Sequence, residues 1–177
     1  RLMLLDISSM KCMQGEACPH ACCNGEGTCK EEHPKMLVKE LSCDFKYNVD
    51  EYVWSADSKK IYFTSCVNAV EGVFELDVEK DCSVSYVPAP GEKTGDVVLG
   101  NGIRRITAED CWYDFSSLKL VPGSEGKLIA VNASMMRPAE IVSIDIESGT
   151  VEQLSHENDN IIAQLVTPSM DQKWITT

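Results

Sequence analysis

Short stretches of strict alternation between apolar and polar residues are the dominant pattern along the chain. Phe74, Leu76 and Val78 alternate with Glu75, Asp77 and Glu79, and Val142, Ile144 and Ile146 alternate with Ser143, Asp145 and Glu147. A period of two places the apolar groups on one face and the carboxylates on the other, the signature of a half-buried strand. Three segments share one form: Leu4-Leu5-Asp6-Ile7, Glu75-Leu76-Asp77-Val78 and Ser143-Ile144-Asp145-Ile146. After the third, Ser148-Gly149 predicts a turn and Thr150 to Leu154 a returning strand.

Each Asp-centred strand follows a strand–turn–strand unit. In the clearest, Tyr52-Val53-Trp54 leads through Ser55-Ala56-Asp57-Ser58 to Lys60-Ile61-Tyr62-Phe63-Thr64. Asp57-Ser58 is turn chemistry, because a short carboxylate can accept from backbone amides just downstream. Trp54, Ile61, Tyr62 and Phe63 favour strands. The later unit runs from Trp112-Tyr113-Asp114-Phe115 to Lys127-Leu128-Ile129-Ala130-Val131 across Pro122 to Gly126. Helical periodicity is nowhere sustained.

Asp6, Asp77 and Asp145 lie 71 and 68 residues apart, longer than the roughly 40–50 residues of one propeller blade. Two aperiodic stretches rich in Gly, Pro, Cys and polar residues, Met10 to Lys35 and Asp81 to Arg104, account for the excess. The fold expected is all-β, a partial β-propeller of about two complete four-stranded antiparallel blades plus part of another. Recurring copies of one unit favour it over an immunoglobulin-like sandwich. The segments are then 1–9, a strand of a preceding blade; 10–35, a Cys-rich insertion; 36–103, a blade with the long insertion 81–103; 104–159, a last blade; and 160–177, a linker and a first strand beyond it. The chain opens inside a strand pattern at Arg1 and stops inside one at Thr177, with no visible signal peptide, so both ends read as boundaries within a longer pattern.

Of 177 residues, 44% are apolar and 25% charged, enough for one ordinary domain and neither a disordered tail nor a coiled coil. The net charge of −12 argues against nucleic acid and anionic membrane as partners, since both need a basic face. No apolar run reaches the roughly 18 residues that cross a bilayer. Nine cysteines point to an oxidising compartment, periplasmic or secreted, with at least one thiol left over.

Two stretches resemble the prolyl oligopeptidase family of serine peptidases, in particular its bacterial dipeptidyl peptidase V type. Tyr47-Asn48-Val49-Asp50 leading into Trp54-Ser55-Ala56-Asp57-Ser58-Lys59-Lys60-Ile61-Tyr62-Phe63 looks like that family's blade signature. Arg137-Pro138-Ala139-Glu140-Ile141 through Gln153-Leu154-Ser155-His156-Glu157-Asn158-Asp159 looks like its last blade, and Lys173-Trp174-Ile175-Thr176-Thr177 like the first strand of its hydrolase domain. The resemblance covers about 36–80 and 104–177. It implies a propeller that caps an α/β-hydrolase domain carrying a Ser-His-Asp triad, admits peptide substrates and excludes folded proteins. The hydrolase domain would then be the chief partner, and the unpaired edges of an open ring predict self-association or capping by the insertions.

Chemistry within the chain itself is sparse, and no catalytic, cofactor-binding or metal residue is assigned. A nucleophile elbow needs Gly-x-Ser-x-Gly; Gly123-Ser124-Glu125-Gly126 has the wrong spacing and sits in a predicted turn. His156 has no assigned nucleophile and reads as a surface or hinge histidine. Cys12, Cys18, Cys22, Cys23 and Cys29, with His20 and His33 nearby, lack the C-x₂-C spacing of a zinc knuckle. Local disulfides are the leading reading, with a metal site or free thiols as alternatives. Cys43, Cys66, Cys82 and Cys111 fall near strands and are expected to be buried small apolar groups. Glu31-Glu32 is compared with the paired glutamates that anchor a substrate amine in dipeptidyl peptidase IV-like enzymes, but the family motif around the pair is absent and the segment reads as a solvated loop. Met135-Met136-Arg137 is expected as a plain hairpin turn. Two other functions compete with the peptide gate: a stand-alone propeller binding a protein or glycan, and a small metal-binding module.

Overall fold

The computed structural model describes residues 2–5, 38–80, 99–100, 102–108, 113–124, 126–167, 169, 171 and 173. Ten strands and one helical turn occur among them. A ribbon pairs β1 (Met3–Leu5) with β2 (Val38–Glu40). A four-stranded antiparallel meander follows, of β3 (Tyr52–Trp54), β4 (Lys60–Val67), β5 (Val70–Asp77) and β6 (Ile103–Arg105). A second meander of the same order contains β7 (Asp114–Leu120), β8 (Lys127–Ser134), β9 (Arg137–Asp145) and β10 (Val151–Gln153), and α1 (Asp159–Ile162) comes after it. The chain is all-β, as its alternation predicts, and two successive four-stranded meanders are consistent with a partial propeller.

Turn chemistry explains why an aspartate recurs at the end of each third strand. Asp77 Oδ1 accepts from the amide of Glu79 at 3.0 Å, and Asp145 Oδ1 from the amide and hydroxyl of Ser148, both at 2.8 Å. Each carboxylate thereby caps the turn that leads out of its strand. The Asp57 turn forms in the same way: its Oδ1 accepts from Ser55 Oγ at 2.6 Å and from the Lys59 amide at 3.1 Å. Those bonds, the Ser55 hydroxyl first, hold the Asp57 carboxyl below its ordinary value.

The middle sheet is covered on both faces. On one side Ile61, Phe63, Phe74 and Leu76 pack with Leu41 and Phe45 and with Leu2 and Leu4 of the ribbon segment. On the other, Tyr62, Val73 and Ile106 pack against Phe115, Leu118, Leu128, Val142 and Ile144 of the second meander. Three layers result, not the two of a sandwich. Gly149 sits at the second interface with φ of +71°, and a Cβ there would lie 2.2 Å from the carbonyl oxygen of Ile106.

Several expectations are corrected by this layering. Glu75 does not face solvent: it is 8% exposed, held by Lys60 Nζ and Arg104 Nη2 at 3.1 Å each. A carboxylate taken out of water needs such partners, and Arg104 Nη2 also donates across the interface to the Ile146 carbonyl at 3.1 Å. Ile103 and Arg104, read as the tail of an insertion, belong to β6, an edge strand of three residues that is too short to register as a period. Val38 to Glu40, read as the start of the middle blade, pair backward with β1. Cys66 is exposed and free rather than buried, and Cys43 is disulfide-bonded rather than a plain apolar filler. Cys82 and Cys111 lie outside the described residues.

Candidate functional site

The densest polar constellation among the described residues lies where β9 begins and the chain leaves β10. It forms because the β8–β9 hairpin turns tightly: Ser134 Oγ accepts from the amides of Met136 and Arg137, both at 3.1 Å. The expected plain turn at Met135-Met136-Arg137 is present, with Met135 92% exposed. Arg137 then starts β9 and donates through Nη2 to Asp159 Oδ1 at 2.8 Å. Three residues on, Glu140 is buried. Its Oε1 accepts from the amide and side-chain nitrogen of Asn158, both at 2.9 Å, and its Oε2 from the hydroxyl of Ser155. Gln153 Nε2 reaches the Ser155 carbonyl at 2.7 Å and Asp159 Oδ1 at 3.2 Å.

These bonds tie the departing chain back onto the sheet and border an open cleft of about 240 Å³ lined by Tyr113, Asn132, Arg137, Glu140 and Gln153 among others. The Ser155 hydroxyl and the Asn158 amide hold the Glu140 carboxyl below its ordinary value of 4.5. Asp159 lies below 3.8, chiefly through the imidazole of His156 and the amide of Gln153. Glu71, at the far end of the middle sheet, moves the other way because burial disfavours its charge.

A carboxyl depressed in the folded state stabilises the fold above its unfolded value, and that contribution is lost as pH falls through the folded value. For Glu140 and Asp159 the loss begins near the unfolded values of 4.5 and 3.8 and continues below them. The thermal midpoint should therefore fall on acidification below about pH 5. Glu140→Gln should lower the midpoint at pH 6, and its difference from the parent should shrink steadily by pH 3. A difference unchanged over that range would show that the Glu140 charge is not what the clamp uses.

Among the described residues the cleft holds part of a triad-like arrangement and no nucleophile bonded to it. His156 Nδ1 lies 2.7 Å from Asp159 Oδ2, two members of a triad-like arrangement. Among the described residues no Ser, Thr or Cys side chain bonds the imidazole, and Ser155 Oγ is committed to Glu140. Asp159 is shared with Arg137, so the imidazole is one spoke of a polar cluster on an exposed surface. Ser124 sits in the β7–β8 turn, its amide 3.1 Å from the Val121 carbonyl. Cys12, Cys18, Cys22, Cys23, Cys29, His20, His33 and Glu31-Glu32 lie outside the described residues, as does the strand expected at Trp174 to Thr177. Among the described residues no three His, Cys, Asp or Glu side chains converge as metal ligands. Glu140, Ser155, Asn158 and Asp159 have no role assigned from the sequence, although all four lie in the second stretch that carries the resemblance. Folding brings the two ends of that stretch, 137–141 and 153–159, into one hydrogen-bonded unit.

No protein-family model matches the chain. Among curated proteins it is similar to dipeptidyl-peptidase 5 of Porphyromonas gingivalis, 27% identical over 134 residues, which cover 75% of this chain and 16% of that protein. Dipeptidyl-peptidase 5 of Porphyromonas endodontalis is 30% identical over 117 residues, 66% of this chain and 13% of that protein. The chain is thus distantly related to a dipeptidyl peptidase and spans less than a fifth of the length of the relatives it matches.

Proposed function

We propose that the chain is a non-catalytic propeller segment of a dipeptidyl peptidase of the prolyl oligopeptidase family, acting as part of the gate through which peptides reach a separate α/β-hydrolase domain. The observation that carries this reading is the coincidence of two independent features. The matched relatives are named as dipeptidyl peptidases, and the chain folds as repeated four-stranded antiparallel meanders. A gate of this kind selects by access: a chamber closed by rigid sheets admits short, flexible peptides and turns folded proteins away. The Cys43 disulfide supports a periplasmic or secreted location.

The clamp at Glu140 and Asp159 acts on this reading as the hinge-side anchor that sets where the chain exits toward the hydrolase. The test compares the 177-residue chain with the protein encoded by its whole reading frame, using fluorogenic dipeptide amides and a fluorophosphonate probe. The longer protein should release dipeptides and take the probe outside residues 1–177, whereas the chain alone should do neither. Hydrolysis by the chain alone would end the non-catalytic assignment. A longer protein that binds proteins or glycans without hydrolysing dipeptides would favour a stand-alone binding propeller instead.

A further inference from the structure

The two meanders share one register, and the comparison shows what the cleft in the second meander replaces. Lys60 pairs with Asp77 as Lys127 pairs with Asp145. Edge strands follow suit, since Leu76 faces Ile103 and Ile144 faces Val151. Counted from these pairs, Ser65 corresponds to Asn132, Gly72 to Glu140, Phe74 to Val142 and Arg105 to Gln153. The edge residues also bond alike. Arg105 Nε donates to the Thr107 carbonyl at 3.0 Å, and Gln153 Nε2 to the Ser155 carbonyl at 2.7 Å.

In the middle sheet this place is filled by the chain itself. The Arg105 guanidinium lies 5.5 Å above the Phe74 ring, and so close to Gly72 that a Cβ there would meet its Nη2 at 2.8 Å. Ser65 Oγ is committed to the Asn48 carbonyl at 2.6 Å. In the second meander an amide replaces the guanidinium and a valine replaces the ring, and the equivalent place is the open cleft of about 240 Å³. Pro138, Val142 and Val151 give it an apolar lining. Its polar atoms are largely uncommitted. Among the described residues neither the Asn132 amide nor the Tyr113 hydroxyl has a side-chain partner, Arg137 donates from its guanidinium through Nη2 alone, and Gln153 uses Nε2 but not Oε1.

Charge in the cleft is already balanced. Glu140 holds three donors and Asp159 holds Arg137, so an ionic guest meets no unmatched opposite charge. The uncommitted groups are mixed: donors on Arg137 and Asn132, acceptors on Asn132 and Gln153. Such a set matches peptide groups, each of which carries a donor and an acceptor. Asp159 and Ser155 hold Arg137 and Gln153 in place, which lowers the ordering cost of binding. The volume of about 240 Å³ equals roughly eight waters at ~30 Å³ each, room for one small aliphatic residue and its flanking peptide groups. A sugar ring, hydroxylated around its edge, leaves the valine and proline surfaces unmatched.

We propose that this cleft is a peptide-binding subsite that takes one small aliphatic residue of an extended chain, its side chain against Val142 and Val151 and its flanking peptide groups on Asn132, Arg137 and Gln153. An apolar lining with a few convergent polar groups is the usual build of a binding site. The proposal deepens the gate reading above and rests on it for the source of the peptide.

The test titrates the isotope-labelled 177-residue chain with N-acetyl-alanyl-valyl-alanine amide and follows the side-chain amide signals of Asn132 and Gln153 by NMR. Both should shift saturably with a midpoint on the order of 1 mM, while the middle-sheet signals stay in place. Asn132→Ala should weaken binding about tenfold, the scale of losing hydrogen bonds to one side chain. Asn132→Ser copies the residue that the middle sheet carries at this place, keeps the fold, and should weaken binding to a similar degree. No saturable shift up to about 20 mM, shifts centred elsewhere, unchanged affinity in Asn132→Ser, or tighter binding of methyl glucoside than of the peptide would each overturn the proposal. Dipeptide release by the whole-reading-frame protein is measured alongside. Binding at the cleft without dipeptide release would retain the subsite and remove the peptidase reading, whereas release without binding would overturn the subsite alone.

Discussion

Gly149→Ala is expected to cost the fold about 3 kcal/mol or more, a loss on the scale of burying a mismatched group in a core. Two effects add at this one position. The φ of +71° puts the residue in the left-handed region, where a side chain costs roughly 1 kcal/mol. The added Cβ would also meet the Ile106 carbonyl oxygen at 2.2 Å. That oxygen belongs to backbone anchored by the Ile106 amide, which donates to Val73, so it cannot retreat without breaking the edge of the middle sheet. The contact is between the two meanders, and relief of the clash would separate them. Gly123→Ala is the control: its φ is +77°, but nothing lies within 4 Å of the new Cβ, so it should show the left-handed cost alone. Urea denaturation of both variants reads the difference directly. Equal losses would mean that Gly149 is needed only for its turn.

The same position shows how far sequence reasoning reaches. Ser148-Gly149 is legible as a turn because glycine and a short hydroxyl residue interrupt two alternating runs. Its role as the close-approach point between sheets is not, since the partner is a backbone oxygen 43 residues earlier in the chain. The alternation of Phe74, Leu76 and Val78 likewise predicts a strand and its inner face. It does not predict that Val73 and Glu75 are buried too, because a period of two says only which side chains share a face and not whether the second face meets another layer. Glu75 is the instructive failure. A carboxylate reads as solvated until its cations are known, and they come from β4 and from β6, the strand hidden at the end of an apparent insertion. Cys66 fails in the opposite sense, an exposed apolar side chain on a strand that is otherwise buried from Ile61 to Val67. The clamp around Glu140 was half visible. Its residues stand in the second of the two stretches that resemble the family, but the pairing of Arg137 with Asp159 and of Glu140 with Asn158 spans 22 and 18 residues, a distance across which one sequence carries no pairing signal.

Phe74→Ala should be the most destabilising substitution in the middle sheet, by about 3–5 kcal/mol, the range for deleting a fully buried aromatic side chain. Phe74 is 0% exposed. Its ring stacks on Phe63 at 5.4 Å, meets Phe45 at 5.7 Å in an edge-on contact, and carries the Arg105 guanidinium 5.5 Å above its centre. The cavity left behind would be walled by β4, by the segment carrying Phe45 and by the edge strand β6. Sheet hydrogen bonds fix the first and third, so collapse cannot refill it. Phe45 packs from outside the sheet and links the ribbon to it, so the loss should also loosen the layer beneath. Tyr52→Ala, on the same sheet but 58% exposed, should cost less than about 1 kcal/mol. Phe74→Leu, which restores most of the apolar volume, should recover more than half of the alanine loss. A leucine variant as unstable as alanine would show that ring stacking and the cation above it, rather than filled volume, hold this core together.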